Sequence, residues 1–140
     1  MGEQQAVSEA LQLVARSQSV LVGSNGDGGY PNIKAMFKTE HDGLRTFLFS
    51  TNTSSRRVSH FRRDPRACLY FVDFTGVCGL MLEGQMEVLD DLGHKRRLWQ
   101  PGHEMYYPGG VDDPDYSVLR FAAKSGCYYH ELQVTTFGIR

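Results

Sequence analysis

The stretch FSTNTSSRRVSHFRRDPRACLYFVD, residues 49–73, reads as a strand end, a polar turn, a short helix and a second strand in one run. Val58 and Phe61 lie three residues apart, as on one apolar helix face, which predicts a helix over residues 55–63. Asp64-Pro65 ends that helix because proline cannot continue it. Residues 67–73 are apolar and aromatic, which predicts a strand.

The turn before this helix has the chemistry of an anion site. A helix N-terminus presents unpaired N–H groups and partial positive charge, which attract phosphate. Ser54 or Ser55 can cap the helix and also offer a hydroxyl, while Arg56 and Arg57 add forked cationic donors. The same residues also suit an ordinary capped helix with solvated arginines, so both interpretations stay open at this point.

The rest of the chain predicts one mainly β domain over residues 1–140, an antiparallel barrel with three peripheral helices. Alternation along the run CGLMLEGQMEVL predicts a long strand with one buried face. The expected helices span residues 3–17, 55–63 and, after an Asp90-Asp91 cap, about 92–99. The expected strands span residues 19–22, 30–38, 44–50, 67–73, 78–89, 116–123 and 127–136, with turns at 25–29 and 41–43 and a loop at 101–115.

Composition excludes several classes of protein. The 140 residues carry 15 basic and 16 acidic side chains, a balance that argues against nucleic-acid binding. No apolar run approaches a membrane span, and the start of the chain does not resemble a secretory signal. The three cysteines are odd in number and far apart, and the histidines lack zinc spacing. We therefore expect a cytoplasmic protein with reduced thiols and no metal, membrane or nucleic-acid partner.

Residues 49–73 resemble the matching stretch of the pyridoxamine 5′-phosphate oxidase-like FMN-binding split-barrel family. Family members show Tyr/Phe-Thr-Asn at a strand end, then Ser-Arg/x-Lys/Arg, a short helix, Asn/Asp-Pro-Arg and an apolar strand. Residues 84–88, 91–99 and 107–116 resemble the general stress protein subgroup, and the order holds from about residue 5 to residue 130. The resemblance implies a split β-barrel of antiparallel Greek-key type that forms a homodimer with FMN at the subunit interface.

The resemblance also implies cofactor-binding roles for particular residues. The second strand would run along the flavin ring, with Lys34 at a position usually held by Arg and Lys38 as the alternative. Ser55, Arg56 and Arg57 would hold the phosphate. The full implied set is Lys34, Met36, Lys38, Ser50, Thr51, Ser55, Arg56, Arg57, Trp99 as part of an aromatic wall, and Tyr129 stacking where relatives often have Trp. The wall would also include Tyr106, Tyr107 and Tyr116, and Tyr128 would form an aromatic pair with Tyr129.

Two departures argue against vitamin B6 oxidation itself. True pyridoxamine 5′-phosphate oxidases carry a flavin-contacting Gln on the long strand and an Arg-x-His pattern near the C-terminus. Cys78-Gly79-Leu80 lacks the first, and the run YYHEL at residues 128–132 lacks the second. The sequence identifies no catalytic residue.

Several functions remain open at this stage. The first is an FMN-dependent oxidoreductase acting on a small molecule, with NAD(P)H as a candidate electron donor. The alternatives are a non-catalytic flavin-binding or flavin-sensing stress protein, a haem-binding barrel with His103 or His130 as axial ligand, and a barrel without a cofactor. A deazaflavin in place of FMN also stays open.

Overall fold

The computed structural model describes residues 1–140 and contains eight strands and three α-helices. The strands are β1 (Ser19–Asn25), β2 (Pro31–Phe37), β3 (Glu40–Asp42), β4 (Thr46–Asn52), β5 (Arg66–Asp73), β6 (Cys78–Leu89), β7 (Tyr116–His130) and β8 (Gln133–Gly138). The helices are α1 (Glu3–Arg16), α2 (Arg56–Arg63) and α3 (Leu92–Leu98). Short 3-10 turns lie between β1 and β2 at Asp27–Gly29 and between α3 and β7 at His103–Met105 and Gly110–Asp112. No helix is both long and apolar enough to cross a membrane.

All strands belong to one antiparallel sheet that curls into a barrel. Its order is β2-β1-β5-β6-β7-β4-β3, with β8 paired to the end of β7. Strands β2 and β3 are the two ends of this order, and they do not pair with each other. The barrel is therefore open along one side, and the prediction of a mainly β split barrel is confirmed.

Side chains from one face of the sheet fill the interior of the barrel, and helix α1 packs against them. Alternate residues of the central strands point inward, as the pleat requires. Helix α1 presents small and medium residues to the core at helical spacing. The main core members are Ala6, Ala10, Leu13, Val14, Val20, Val22, Phe47, Phe49, Leu69, Phe71, Leu80, Leu82, Met86, Leu119 and Phe121.

The predicted break between two closing strands at residues 124–126 is wrong. Strand β7 runs on to His130, and the reversal occurs at Glu131, which has a left-handed φ of 56°. The Lys124-Ser125-Gly126 run instead lies where the β6–β7 register shifts, between Glu83 and Gly84. Turn-forming residues at a β-bulge resemble those of a hairpin turn, so sequence alone cannot separate the two.

A second difference concerns the turn predicted at residues 41–43. Residues Glu40–Asp42 form the short strand β3, and the chain reverses just after it at Gly43, whose φ is 55°. The pairing with β4 gives these polar residues a strand conformation that their own propensity does not favour.

Gly84 provides a test of the bulge. A Cβ at this position would lie 2.1 Å from the carbonyl oxygen of Ala122. Because that oxygen belongs to the backbone of β7, it cannot move away without disturbing the strand. We expect Gly84→Ala to lower the free energy of unfolding by about 2–4 kcal/mol, measured by urea titration. Gly138→Ala is the matched control, since a Cβ there meets nothing within 4 Å. Equal stability of the two variants would contradict this account of the bulge.

Candidate functional site

A cavity of about 310 Å³ lies in the opening of the barrel, between the free edge of β2 and the end of β4. Its floor comes from both strands, and its far wall comes from α2 and the loop that precedes β7. The lining residues are Lys34, Ala35, Met36, Phe37, Thr39, Ser50, Thr51, Asn52, Arg57, His103, Tyr106 and Tyr107.

The polar turn, residues 51–57, carries three buried side-chain atoms without a hydrogen-bond partner. They are Thr51 Oγ1, Ser55 Oγ and Arg57 Nε. A buried donor or acceptor left unpaired costs about 1–3 kcal/mol, so native proteins seldom keep several together. Two of the three residues line the cavity, and the third is the N-cap of α2. These atoms are therefore available to a ligand with several hydrogen-bonding oxygens.

The start of α2 is open in the same way. Ser55 occupies the N-cap with extended backbone, but its side chain makes no capping hydrogen bond. Ser55 therefore occupies the expected N-cap position, but its hydroxyl makes no hydrogen bond within the protein. Burial lowers the pKa of Arg57, yet guanidinium remains charged at any physiological pH. An uncapped helix start beside a half-buried guanidinium favours an anion.

The loop wall of the cavity consists of His103, Tyr106 and Tyr107. Burial raises the pKa of Tyr107 to about 12, so its phenol stays protonated and can donate a hydrogen bond. His103 Nδ1 accepts the backbone N–H of Gln100 at 3.3 Å, which places the proton of the neutral ring on Nε2. Trp99 supports the wall from behind, with its ring centroid 5.3 Å from that of His103.

Half of the residues expected to bind a cofactor line this cavity. Lys34 and Met36 do so from β2, Ser50 and Thr51 from β4, and Arg57 from α2. Thirteen residues separate Met36 of β2 from Ser50 of β4 along the chain. The two strands nevertheless meet at the opening of the split barrel.

The other expected residues do not line the cavity. Lys38 Nζ donates to the carbonyls of Val14 and Ala15, the last turn of α1. Ser55 adjoins the cavity as the N-cap of α2, and Arg56 beside it is exposed to solvent.

Trp99 and Tyr129 also lie outside the lining. Trp99 packs on Tyr116 behind the loop wall, with 5.4 Å between the ring centroids. Tyr129 lies on the outer face of the sheet, where a Cβ on Gly79 would come within 2.4 Å of its ring. The two histidines considered as haem ligands also separate. His103 lines the cavity, whereas His130 Nδ1 bonds to Glu9 of α1 at 3.0 Å.

His103, Asn52 and Thr39 are cavity residues that sequence reasoning did not assign to a flavin site. Asn52 lies within the polar turn, so its position in the sequence was a usable signal. Thr39 directly follows Lys38, which the resemblance had already placed near the flavin ring. His103 had no such signal, because only the folding of the 101–115 loop brings it to the cavity.

Fold and cavity together define a split-barrel protein with a polar turn at the barrel opening. The family model described as pyridoxamine 5′-phosphate oxidase matches residues 6–129. The chain therefore belongs to the pyridoxamine 5′-phosphate oxidase family. A search of curated proteins finds no match.

Solved structures extend this comparison. A Clostridium acetobutylicum protein related to general stress protein 26 of Bacillus subtilis is 48% identical, with a TM-score of 0.88 and coverage of 99% of this chain and 97% of that one. General stress protein 26 from Bacillus anthracis shares the fold at 13% identity, with a TM-score of 0.74 and coverage of 99% and 100%. A haem binding protein from Mycobacterium smegmatis shares it at 17% identity, with a TM-score of 0.76 and coverage of 95% and 57%.

The unpartnered hydroxyl of Thr51 provides a test of the polar turn. We expect Thr51→Val to raise the free energy of unfolding of the ligand-free protein by about 1 kcal/mol, because it removes a buried hydroxyl that makes no bond. Thr53→Val is the matched control and should destabilise, since Thr53 Oγ1 lies 2.6 Å from Ser117 Oγ. Urea unfolding measures both variants, and a loss of stability in Thr51→Val would show that its hydroxyl is already satisfied.

Proposed function

We propose that this protein binds FMN through its phosphate at the polar turn and uses it in oxidation–reduction of a small molecule. The observation that carries the proposal is the set of three buried, unpartnered polar atoms at residues 51–57. A phosphate has enough acceptor oxygens to satisfy hydroxyl and guanidinium donors together, and it suits the open N-terminus of α2. Membership of the pyridoxamine 5′-phosphate oxidase family supports the same ligand.

The rest of the cavity suits the remainder of such a ligand. Strand β2 has no strand partner on its outer side, so its free backbone groups face the opening of the barrel. Lys34 brings a positive charge to this edge, and the Tyr107 phenol can donate from the opposite wall. When bound, a flavin supplies hydride and electron transfer that no side chain can perform, and the protein supplies position and polarity.

The proposed activity transfers electrons from a small-molecule donor to a small-molecule acceptor. A reduced nicotinamide is the candidate donor, bound only transiently at the open cavity. The three cysteines are free thiols, which agrees with a location in the reducing cytoplasm. The similarity to proteins named for general stress supports a role under stress conditions.

We also propose a homodimer, formed through the outer face of β1 and β2. Ile33 and Phe37 are 67% and 78% exposed on this face, and Leu21 and Ala35 lie between them in register. A row of exposed apolar residues on a sheet is typical of a protein interface. A second copy would cover this face and the neighbouring mouth of the cavity, to which Phe37 also belongs.

Replacing the two arginines separately tests the phosphate site. We expect Arg57→Ala to weaken FMN binding about hundredfold, because a half-buried charged donor is lost. The exposed Arg56 is the matched control, and Arg56→Ala should weaken binding only about threefold because solvent and salt screen its charge. The double variant should lose the flavin and remain folded. Quenching of flavin fluorescence measures the affinities, with riboflavin, which lacks the phosphate, unaffected by either change.

The absorption spectrum of the purified protein decides between cofactors. An oxidised-flavin spectrum, with FMN identified by mass after release, supports the proposal, whereas a haem Soret band that His103→Ala abolishes would replace it with haem binding. A deazaflavin mass would replace FMN alone. Bleaching by NADH or NADPH without air, followed by turnover with an added acceptor, distinguishes an enzyme from a flavin-binding module.

The dimer is tested by a charge on the outer face. Leu21 and Leu11 are 37% and 38% exposed, the first on β1 and the second on α1. We expect Leu21→Glu to give a species of one chain mass, 15.8 kDa, by light scattering, because burying an unpaired carboxylate opposes association. Leu11→Glu should keep the wild-type mass of two chains. A wild-type protein that is monomeric at working concentration would disprove the proposed dimer.

A further inference from the structure

The acidic loop, residues 112–115, has no role in the cavity described above, since none of its side chains lines it. One of its members nevertheless makes three hydrogen bonds to the polar turn. The Asp115 carbonyl accepts the N–H of Thr53 at 2.7 Å, and the Asp115 carboxylate accepts the N–H of Ser54 at 2.7 Å and Asn52 Nδ2 at 2.9 Å.

We propose that Asp115 is a positioning residue that holds the polar turn in the shape required to bind phosphate. The inference rests on the proposed FMN function, and it adds a residue that touches neither the cavity nor its ligand. The three bonds reach Asn52, Thr53 and Ser54, which join the end of β4 to the N-cap of α2. Fixing these residues fixes the spacing between Thr51 Oγ1 on one side and Ser55 Oγ and Arg57 Nε on the other.

A carboxylate beside a phosphate site is unexpected, because like charges repel. Both carboxylate oxygens of Asp115 are, however, occupied by donors of the polar turn. These bonds lower the pKa of Asp115, the Asn52 amide contributing most and Ser54 next. Because the pKa of Asp115 is lowered, these hydrogen bonds are at full strength at any pH above the usual carboxyl pKa. They are lost only when the pH falls through the lowered pKa of Asp115. Asp115 therefore remains ionised throughout the physiological range.

The acidic loop is itself held in place. Asp113 accepts the N–H of Asp115 at 2.9 Å and the N–H of Gly109 at 2.8 Å. A second connection runs parallel to the first, from Thr53 Oγ1 to Ser117 Oγ and on to Asp90 at 2.8 Å. The polar turn is thus fixed to the start of β7 by backbone and by side chains.

Asp115→Asn tests the inference because an amide cannot replace both acceptors. Its oxygen can accept from Ser54, but its nitrogen then faces the donor of Asn52. We expect FMN binding to weaken about tenfold, by fluorescence quenching, with riboflavin binding unchanged because the effect reaches only the phosphate. Tighter FMN binding would mean that Asp115 acts mainly by repulsion and would overturn the inference, and so would an equal loss for riboflavin.

Asp91→Asn is the matched control. The Asp91 carboxylate also accepts a backbone N–H, that of His94 at 3.0 Å, but it caps α3 and does not reach the polar turn. Asn caps a helix as well as Asp does, so FMN affinity should stay within about twofold of wild type. A loss in this variant as large as that in Asp115→Asn would show a general effect of removing acidic charge and would overturn the inference.

Hydrogen exchange of the ligand-free protein separates this inference from the proposed function. The Ser54 amide should exchange about tenfold faster in Asp115→Asn than in wild type, because its acceptor is weakened. This result does not depend on flavin. If wild type binds no FMN, the proposed function fails, and unchanged Ser54 exchange in the variant disproves the positioning role itself.

Discussion

The antiparallel pairing of β4 with β7 is the interaction on which the site depends. Its register places Asn52 opposite Tyr116, so the last residue of β4 lies beside the first residue of β7. The polar turn leaves one strand at the point where the acidic loop enters the other. Because an antiparallel ladder fixes such end-to-end alignment over seven residue pairs, the position of the turn is set by the whole sheet and not by the turn alone.

The unpartnered polar atoms of the polar turn reduce the stability of the protein. Thr51 Oγ1 and Arg57 Nε are buried without partners, although the surrounding sheet is well paired. Unsatisfied polar atoms cost free energy, and they are retained where a ligand supplies the missing bonds. The neighbouring Thr53 hydroxyl, two residues along, is fully engaged with Ser117. Within one turn, the Thr53 hydroxyl therefore holds the backbone in place, whereas Thr51 Oγ1 and Arg57 Nε are the atoms that the proposed ligand would bind.

Strand β2 borders the opening of the barrel and also carries part of the apolar outer face. Strand β2 is the end of the sheet, so one of its edges is unpaired while one of its faces points away from the core. Lys34 and Met36 reach the cavity from the inner face, and Ile33 is exposed on the outer face, following the alternation of a strand. Phe37, on the same face as Ile33, also reaches the mouth of the cavity because that mouth lies at the edge of the strand. The proposed ligand site and the proposed interface between two copies would therefore share one element.

Local sequence patterns were enough to predict most of the helices and strands and the chemistry of the polar turn, but not the short strand β3 or the continuous length of β7. Alternation at residues 78–89, the apolar spacing of Val58 and Phe61, and Asp64-Pro65 each act over a few residues, so β6, α2 and its end were predictable. The positions of His103, Lys38 and Asp115 were not, because each depends on which distant segments meet. Lys38 binds α1 rather than the cavity only because β2 ends beside the last turn of that helix. Asp115 meets Ser54 across 61 residues of chain through the β4–β7 register, and long-range pairing of this kind leaves no local pattern to read.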